Sequence, residues 1–404
     1  MLKSLLKIYS ITLNKNILNT GVQDFINNNL NTDIVSVLLQ KPLFPEVTQK
    51  ELAEQLEAKG KCQTKLPSWF AASGIYYPNK LHIEQTSSER TAAYKAKLVE
   101  GKTLVDITGG LGVDTHFFAQ KIGTVFHFEI NKELSKIAAH NGKVFKTKNI
   151  FFKAENGLDF LRKSDALFDW IFVDPSRRSD TKGKVFLLKD CLPNVPKNLE
   201  LLFKKSHHIL IKTSPLLDIS QGISELDFVK EIHVVAVKNE VKELLWVLEK
   251  GFSGAIKIKT CNLKNDGEDI FEFYQNNELV AQSHFGMPQT YLYVPNAAIM
   301  KSGGFKSIGQ HYQLQKLQEH SHLYTSEHPI AFPGRRFKIL EVHGFHKKHL
   351  KKWHSQQANI STRNFSETVA HIRKKFSIKD GGSHYLFFTT DVNNKAAVIH
   401  CKKE

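Results

Sequence analysis

Residues 104–114 read LVDITGGLGVD, an apolar run that ends on an acid and breaks into three glycines within four positions. The run predicts a buried strand closing at Asp106 and Ile107, a turn through Gly109, Gly110 and Gly112, and a helix over Thr115 to Ala119. Glycines there permit positive φ and let a ligand approach the backbone closely, although a tight strand-to-helix turn alone would also use them. Two phosphate-binding readings fail on the same letters. GxGxxG counted from Gly110 meets Thr115 where its third glycine should be, and GxxxxGK followed by Ser or Thr is absent.

Outward from this loop the chain alternates apolar β-type runs with helical stretches: TLVDIT, TVFHFEI, NIFFKAE, FDWIFVDP, HHILIKTSP, EIHVVAVK and ELLWVLEK. Near-continuous apolar runs separated by helices predict a doubly wound α/β sheet covered on both faces, with the last two runs close enough to pair antiparallel. Polar residues recur where such strands end. Glu129 lies 23 residues beyond Asp106, where a carboxylate can accept hydrogen bonds from both ribose hydroxyls. Asn156, or alternatively Glu155, follows the third strand and could meet an adenine edge. Asp174 ends the fourth in DPSRR, at the carboxyl edge where ligands bind.

On the N-terminal side, helical spacing in Ile34, Val35, Val37, Leu38 and Leu39, and again in Leu52, Leu56 and Ala58, predicts a helical region that Pro67 interrupts. Thr86 and Glu89 have capping-box spacing for a helix to about Leu98. After Gly251 come short strands and turns (GAIKIKT, QTYLYVP), then an α+β pattern of RRFKILEV, a helix around SETVAHIRKKF, a turn at Gly381 and Gly382, and SHYLFFTT. The expected domains are 1–98, helical; 99–250, the doubly wound sheet; 251–330, a small α+β unit; and 331–404, basic.

The chain has 404 residues and a formal charge of +16, from 56 Lys or Arg against 40 Asp or Glu. Residues 301–404 hold 18 Lys or Arg against 7 Asp or Glu, so +11 sits in a quarter of the chain and favours a polyanion partner over a generally solubilising surface. Lys347, Lys348, Lys351 and Lys352 flank Trp353 in HGFHKKHLKKWH, a pattern for phosphate contact with base stacking; Arg363, Arg373, Lys374 and Lys375 would extend it. The histidines of that run have no cysteine nearby and read as cationic, so no metal is expected. Cys62, Cys191, Cys261 and Cys401 show no paired spacing, and Cys191 reads as a packing residue. No run approaches a membrane span, and Lys7 with Asn14 and Asn16 breaks any signal-like core, so a cytoplasmic protein is expected. Oligomeric state is not legible.

The segments EQTSSERTAAYKAKL, DITGGLGVDT, FVDPSRR with GKVFLLKDCLPNV, and ANISTRNFSETVAHIRKKFSIKDGG resemble the class I S-adenosylmethionine-dependent methyltransferases, in particular a bacterial subgroup with a THUMP-like C-terminal domain. That resemblance covers most of residues 80–404. It implies a Rossmann-like methyltransferase sheet followed by ferredoxin-like and THUMP-like α+β domains, and an enzyme acting on rRNA or tRNA. S-adenosylmethionine would lie on Asp106, Thr108, Gly109, Gly110, Gly112, Asp114, Glu129, Glu155 and Asn156; the cofactor has no phosphate, which suits a loop without a phosphate cradle. Asp174 would orient the acceptor, and Pro175, Arg177, Arg178, Lys347, Lys348, Arg363 and Arg373 would contact substrate.

Two departures bear on the chemistry. Thr108 stands where many class I enzymes have their first glycine, which the DxxCGxG-type loops of RNA methyltransferases also lack at that position. Ser176 and Arg177 replace the second proline and aromatic of amine-directed enzymes. The uracil-C5 enzymes' nucleophilic cysteine has no counterpart in IKTSPLLD, where Thr213 and Ser214 stand. The rival reading is a methyltransferase of a small molecule or protein whose C-terminal domains bind no RNA.

Overall fold

Hydrophobic runs without polar alternation must be covered on both faces, and the structure builds them into a parallel sheet. The computed structural model describes residues 13–177 and 187–404, with Arg177 described by its backbone alone. It divides into two compact units, residues 1–229 with 245–252, and residues 230–244 with 253–404.

In the first unit, β1 (Thr103–Asp106), β2 (Thr124–Phe128), β3 (Ile150–Lys153), β4 (Phe168–Val173) and, beyond the short antiparallel pair β5 (Ser176–Arg177) and β6 (Cys191–Leu192), β7 (Ser206–Thr213) lie in the order β7-β4-β1-β2-β3. Every pairing among those five is parallel. Helices Val113–Phe118, Lys132–Val144, Gly157–Lys163 and Val195–Lys205 occupy the crossovers. Ile209, Leu210 and Ile211 of β7 are all fully buried, as coverage of both faces demands. β8 (Val229–Val237) turns into β9 (Glu240–Glu249) through Lys238 and Asn239, both at positive φ, the backbone of a tight antiparallel hairpin. β9 then lies beside β7. A late strand returning antiparallel next to the fifth parallel strand separates the class I methyltransferase sheet from a simple dinucleotide-binding one.

The N-terminal helices share a core with the loop after β1. Ile17, Val37, Leu52, Leu56, Trp69 and Tyr77 belong to one buried cluster with Leu111, Val113, Leu134 and Ile137. Asn141 fastens this arrangement, accepting the Tyr76 N–H at 3.0 Å and donating to the Tyr76 carbonyl at 3.0 Å. Pro67 opens the short helix Pro67–Ala71 at its first turn, directly after helix Gln49–Lys65. The expected capping box at Thr86 and Glu89 is not formed. Ser88 caps helix Glu89–Ala96 by accepting the Thr91 N–H, and Thr86 instead closes helix Lys80–Gln85, so its backbone is already committed to the preceding turn. The capping box occurs at Thr48 and Glu51.

In the second unit, β10 (Lys257–Leu263) runs parallel to β8 and pairs antiparallel with β11 (Glu268–Tyr274). A strand order that continues β8 through β10 crosses the domain boundary drawn at residue 250. Seven further strands follow: β12 (Tyr291–Pro295), β13 (Gln315–Lys316), β14 (Tyr324–Ser326), β15 (Gly334–Gly344), β16 (Asn359–Arg363), β17 (His384–Thr390) and β18 (Ala396–Lys403). They form a sheet ordered β13-β14-β12-β15-β18-β17-β16. β12 and β15 pair from Tyr291 with Lys338 to Pro295 with Gly334, which makes the α+β region after residue 290 one continuous sheet. No helix among the described residues is long and apolar enough to cross a membrane.

Lys95 and Asp114 form a buried ion pair in the first unit. Lys95 Nζ lies 3.2 Å from Asp114 Oδ1, with the lysine side chain fully buried, and Ser87 Oγ donates to Asp114 Oδ2 at 2.7 Å. Removing the carboxylate takes an opposite charge away from a fully buried ammonium, which is destabilising. Asp114→Ala should therefore lower the urea midpoint followed by circular dichroism; an unchanged midpoint would contradict the role given to the pair.

Candidate active site

The loop after β1 is held from beneath by three side chains. Asp106 is 1% exposed; its Oδ2 accepts from Thr115 Oγ1 at 2.7 Å and its Oδ1 accepts the Thr108 N–H at 3.0 Å. Burial pushes this carboxyl up to about 7, against the lowering effect of those two hydrogen bonds. His127, buried on β2, faces the Gly110 carbonyl through Nε2 at 3.3 Å. A carbonyl only accepts, so Nε2 carries the proton and Nδ1 is bare; burial holds the imidazole down at about 4 and hence neutral. Glu129 is the third. Its Oε2 accepts the Gly110 N–H at 2.9 Å and its Oε1 the Asn131 N–H at 2.7 Å.

Gly109 is where space is tightest: a Cβ there would stand 2.3 Å from the His127 ring. Gly110 and Gly112 have φ of 56° and 81°, the left-handed region that swings the loop into its helix. Gly157 lets the segment after β3 close on the loop, since a Cβ would meet Ile107 at 2.6 Å. Glu155 and Asn156 are exposed beside it, although Asn156 already accepts the Leu158 N–H at 2.9 Å as a helix cap.

Asp174 joins the loop from the next strand. Its N–H donates to Thr108 Oγ1 at 2.7 Å, and its Oδ2 lies 2.5 Å from Lys212 Nζ. Thr108, Asp174 and Lys212 follow or end β1, β4 and β7, three neighbours at the carboxyl edge, so a hydroxyl at position 108 ties the glycine loop to the acceptor side. Lys212 was not singled out from sequence, yet a lysine inside the apolar run HHILIKT needs a partner, and that demand was readable. Ile130, 71% exposed directly after Glu129, was not singled out either; it leaves a large apolar face in water next to the loop. His82 is half-buried, and its lowering by burial is opposed by the charge of Glu129.

Other expected residues lie elsewhere or serve otherwise. Asp114 turns to Ser87 and Lys95, so its carboxylate is spent on the N-terminal helices. Pro175 is buried. Arg178 and the side chain of Arg177 lie outside the described residues. Thr213 accepts from the Trp246 indole at 3.0 Å, and the buried Cys191 thiol faces the Leu187 carbonyl. Lys347 and Lys348 are exposed in the second unit. Trp353 does not offer a stacking surface: it is 7% exposed, packed edge-on against His384 and His400, because its apolar spacing from Leu350 directs it into a core. Arg373 is likewise engaged, donating to the carbonyls of Ala358 and Ile378 and pairing with Asp380. Among the described residues no group of three or more His, Cys, Asp or Glu is arranged to hold a metal.

The donor set fits S-adenosylmethionine. The positive-φ glycines leave the loop without side chains at those positions, each Glu129 oxygen keeps a lone pair for a ribose hydroxyl, and Ile130 is exposed for the adenine. Sheet and loop together define a class I S-adenosylmethionine-dependent methyltransferase. A crystal structure of a "putative methyltransferase" from Porphyromonas gingivalis W83 is 31% identical over 96% of this chain and 98% of that one, with a TM-score of 0.86. The chain belongs to that methyltransferase family. Residues 291–333 match a ferredoxin-like domain family and residues 334–403 a THUMP domain-like family. Likeness to an rRNA methylase from Streptococcus thermophilus (15% identity, 40% of this chain and 94% of that one, TM-score 0.30) and to the M. jannaschii tRNA m1G37 methyltransferase (13%, 41% and 50%, 0.29) is too slight to bear on the acceptor. No curated protein matches the sequence.

Two outcomes follow from the clamp. Gly109→Ala must displace a buried histidine or the loop, so calorimetry should find S-adenosylhomocysteine binding lost; native affinity would contradict the packing described. Asp106 titrates higher folded than unfolded, from an ordinary 3.8 to about 7, so the folded state holds the proton more tightly. Stability from this group is therefore lost as pH rises from about 4 to about 7 and changes no further above that. The stability of Asp106→Asn relative to the native chain should rise across that window, by at most about 4 kcal/mol, in urea titrations at matched ionic strength. A difference constant with pH would rule out this titration.

Proposed function

We propose that the chain methylates RNA, with the first unit performing the transfer and the basic C-terminal region bringing ribosomal or transfer RNA to it. The observation that carries the transfer is the Thr108–Asp174–Lys212 connection, which sets a carboxylate against the glycine loop. S-adenosylmethionine supplies an electrophilic methyl group on a sulfonium. Glu129 would hold the ribose hydroxyls of the cofactor, and Asn156, or alternatively Glu155, would meet the adenine. Lys212 occupies Asp174 Oδ2, leaving Oδ1 to accept a hydrogen bond from the N–H or O–H of the acceptor and so orient its lone pair. Arg177 and Arg178, the next cations in sequence, would hold a substrate phosphate.

RNA as the acceptor is supported by the +11 charge of residues 301–404, by exposed Lys347 and Lys348, and by the THUMP domain-like match. A protein of this charge working inside the cell meets RNA in the cytoplasm, where we place it.

Nucleoside profiles of RNA from parent and gene-deleted cells test the reading. One methylated nucleoside should vanish on deletion, return with the native gene, and stay absent with Asp174→Ala, a variant that retains S-adenosylhomocysteine binding. An unchanged profile would remove RNA as the acceptor, and full restoration by Asp174→Ala would remove that residue from the mechanism.

A further inference from the structure

The second unit contains a group of nitrogen-bearing side chains, two arginines and a lysine with a neutral histidine, gathered from separate elements. Arg363, at the end of β16, is half-buried, and its Nε is buried with no hydrogen-bond partner among the described residues. His322 stacks on Phe305 with ring centroids 3.6 Å apart, and its Nδ1 is likewise buried and unpartnered. Lys316 Nζ lies 5.6 Å from the centroid of the same Phe305 ring and donates to the Glu319 carbonyl at 2.7 Å.

The loop carrying His322 is fastened to the strand end carrying Arg363. Asn364 Nδ2 donates to Gln318 Oε1 at 2.8 Å, and the same oxygen accepts the His320 N–H at 2.6 Å. Leu317 and Leu323, which flank that loop, share a core with Phe337, over whose ring the exposed Arg335 guanidinium lies at 5.5 Å. Burial and then the charge of Arg335 hold Arg363 below its ordinary value, while burial, Lys316, Arg363 and His320 push His322 down to about 4. Glu278 and Glu319 act on Lys316, and Glu278 is already committed to the N–H groups of Lys306 and Ser307.

A half-buried guanidinium with an unmet donor is costly, and a second one close by adds repulsion. An anion entering past the exposed Arg335 would relieve both, and a planar guanidinium fork matches phosphate oxygens two at a time. We propose that Arg363, Arg335, His322 and Lys316 form a binding site for a phosphate group. It is distinct from the exposed run at Lys347 and Lys348. Only the source of that phosphate, the backbone of an RNA strand, rests on the function proposed above.

Phosphorus-31 line broadening of inorganic phosphate with the full chain reads the site directly, and fluorescence anisotropy of labelled bulk tRNA reads its source. Phosphate should bind the native chain, and Arg363→Gln and Arg335→Gln should each weaken it by about tenfold or more, the loss of a single charge-assisted contact. Lys163→Gln, at an exposed lysine of the first unit, should leave phosphate binding unchanged. Arg335 is exposed, so its variant tests the site even if Arg363→Gln fails to fold. Parallel losses of phosphate and tRNA binding support both site and source. Loss of phosphate binding with tRNA affinity intact supports the site and rejects RNA as its source. No phosphate binding to the native chain, or variants that bind phosphate as it does, overturns the proposal even if tRNA still binds.

Discussion

The Asp106 carboxylate, out of water and shared between the Thr115 hydroxyl and the Thr108 amide, is the contact on which the active-site geometry depends. It joins the strand end, the glycine turn and the first turn of the following helix at one point. Thr108, so placed, accepts the Asp174 amide, and Asp174 takes its position from the glycine loop. Burying a carboxylate carries a cost that the proton shift of Asp106 makes visible, and the cost is tolerated because it sets the loop before any ligand arrives.

The N-terminal helices complete the support. Leu111 and Val113 are core residues of that helical cluster as well as members of the loop, and Asp114 is drawn into an ion pair with Lys95. The glycine loop is thus held by β2 through His127 and Glu129 and by helices that precede the sheet in sequence. A region that resembles little on its own serves here as a wall behind the glycine loop.

The parallel sheet was legible because runs such as HHILIKT and FDWIFV carry almost no polar alternation, and only burial on both faces accommodates them. Glu129 and Asp174 were legible for a related reason: a carboxylate closing an apolar run has no place except the strand's end. Asp114 was not, since its direction depends on Lys95, a partner on another helix that spacing within the loop cannot reveal. Trp353 and Arg373 sit in sequences dominated by lysine and read as surface, whereas packing turned the ring inward and the guanidinium onto backbone carbonyls. Lys212 was available to inspection, because a charge inside a buried strand must find an opposite charge, but which carboxylate it finds is decided by strand order.

That account is tested most directly by a crystal structure with S-adenosylhomocysteine bound. It should place the ribose hydroxyls on Glu129, the adenine beside Ile130 and Asn156, and the thioether sulfur facing Asp174 with its Lys212 pair intact. A ligand bound away from the glycine loop, or a sulfur turned from Asp174, would contradict it.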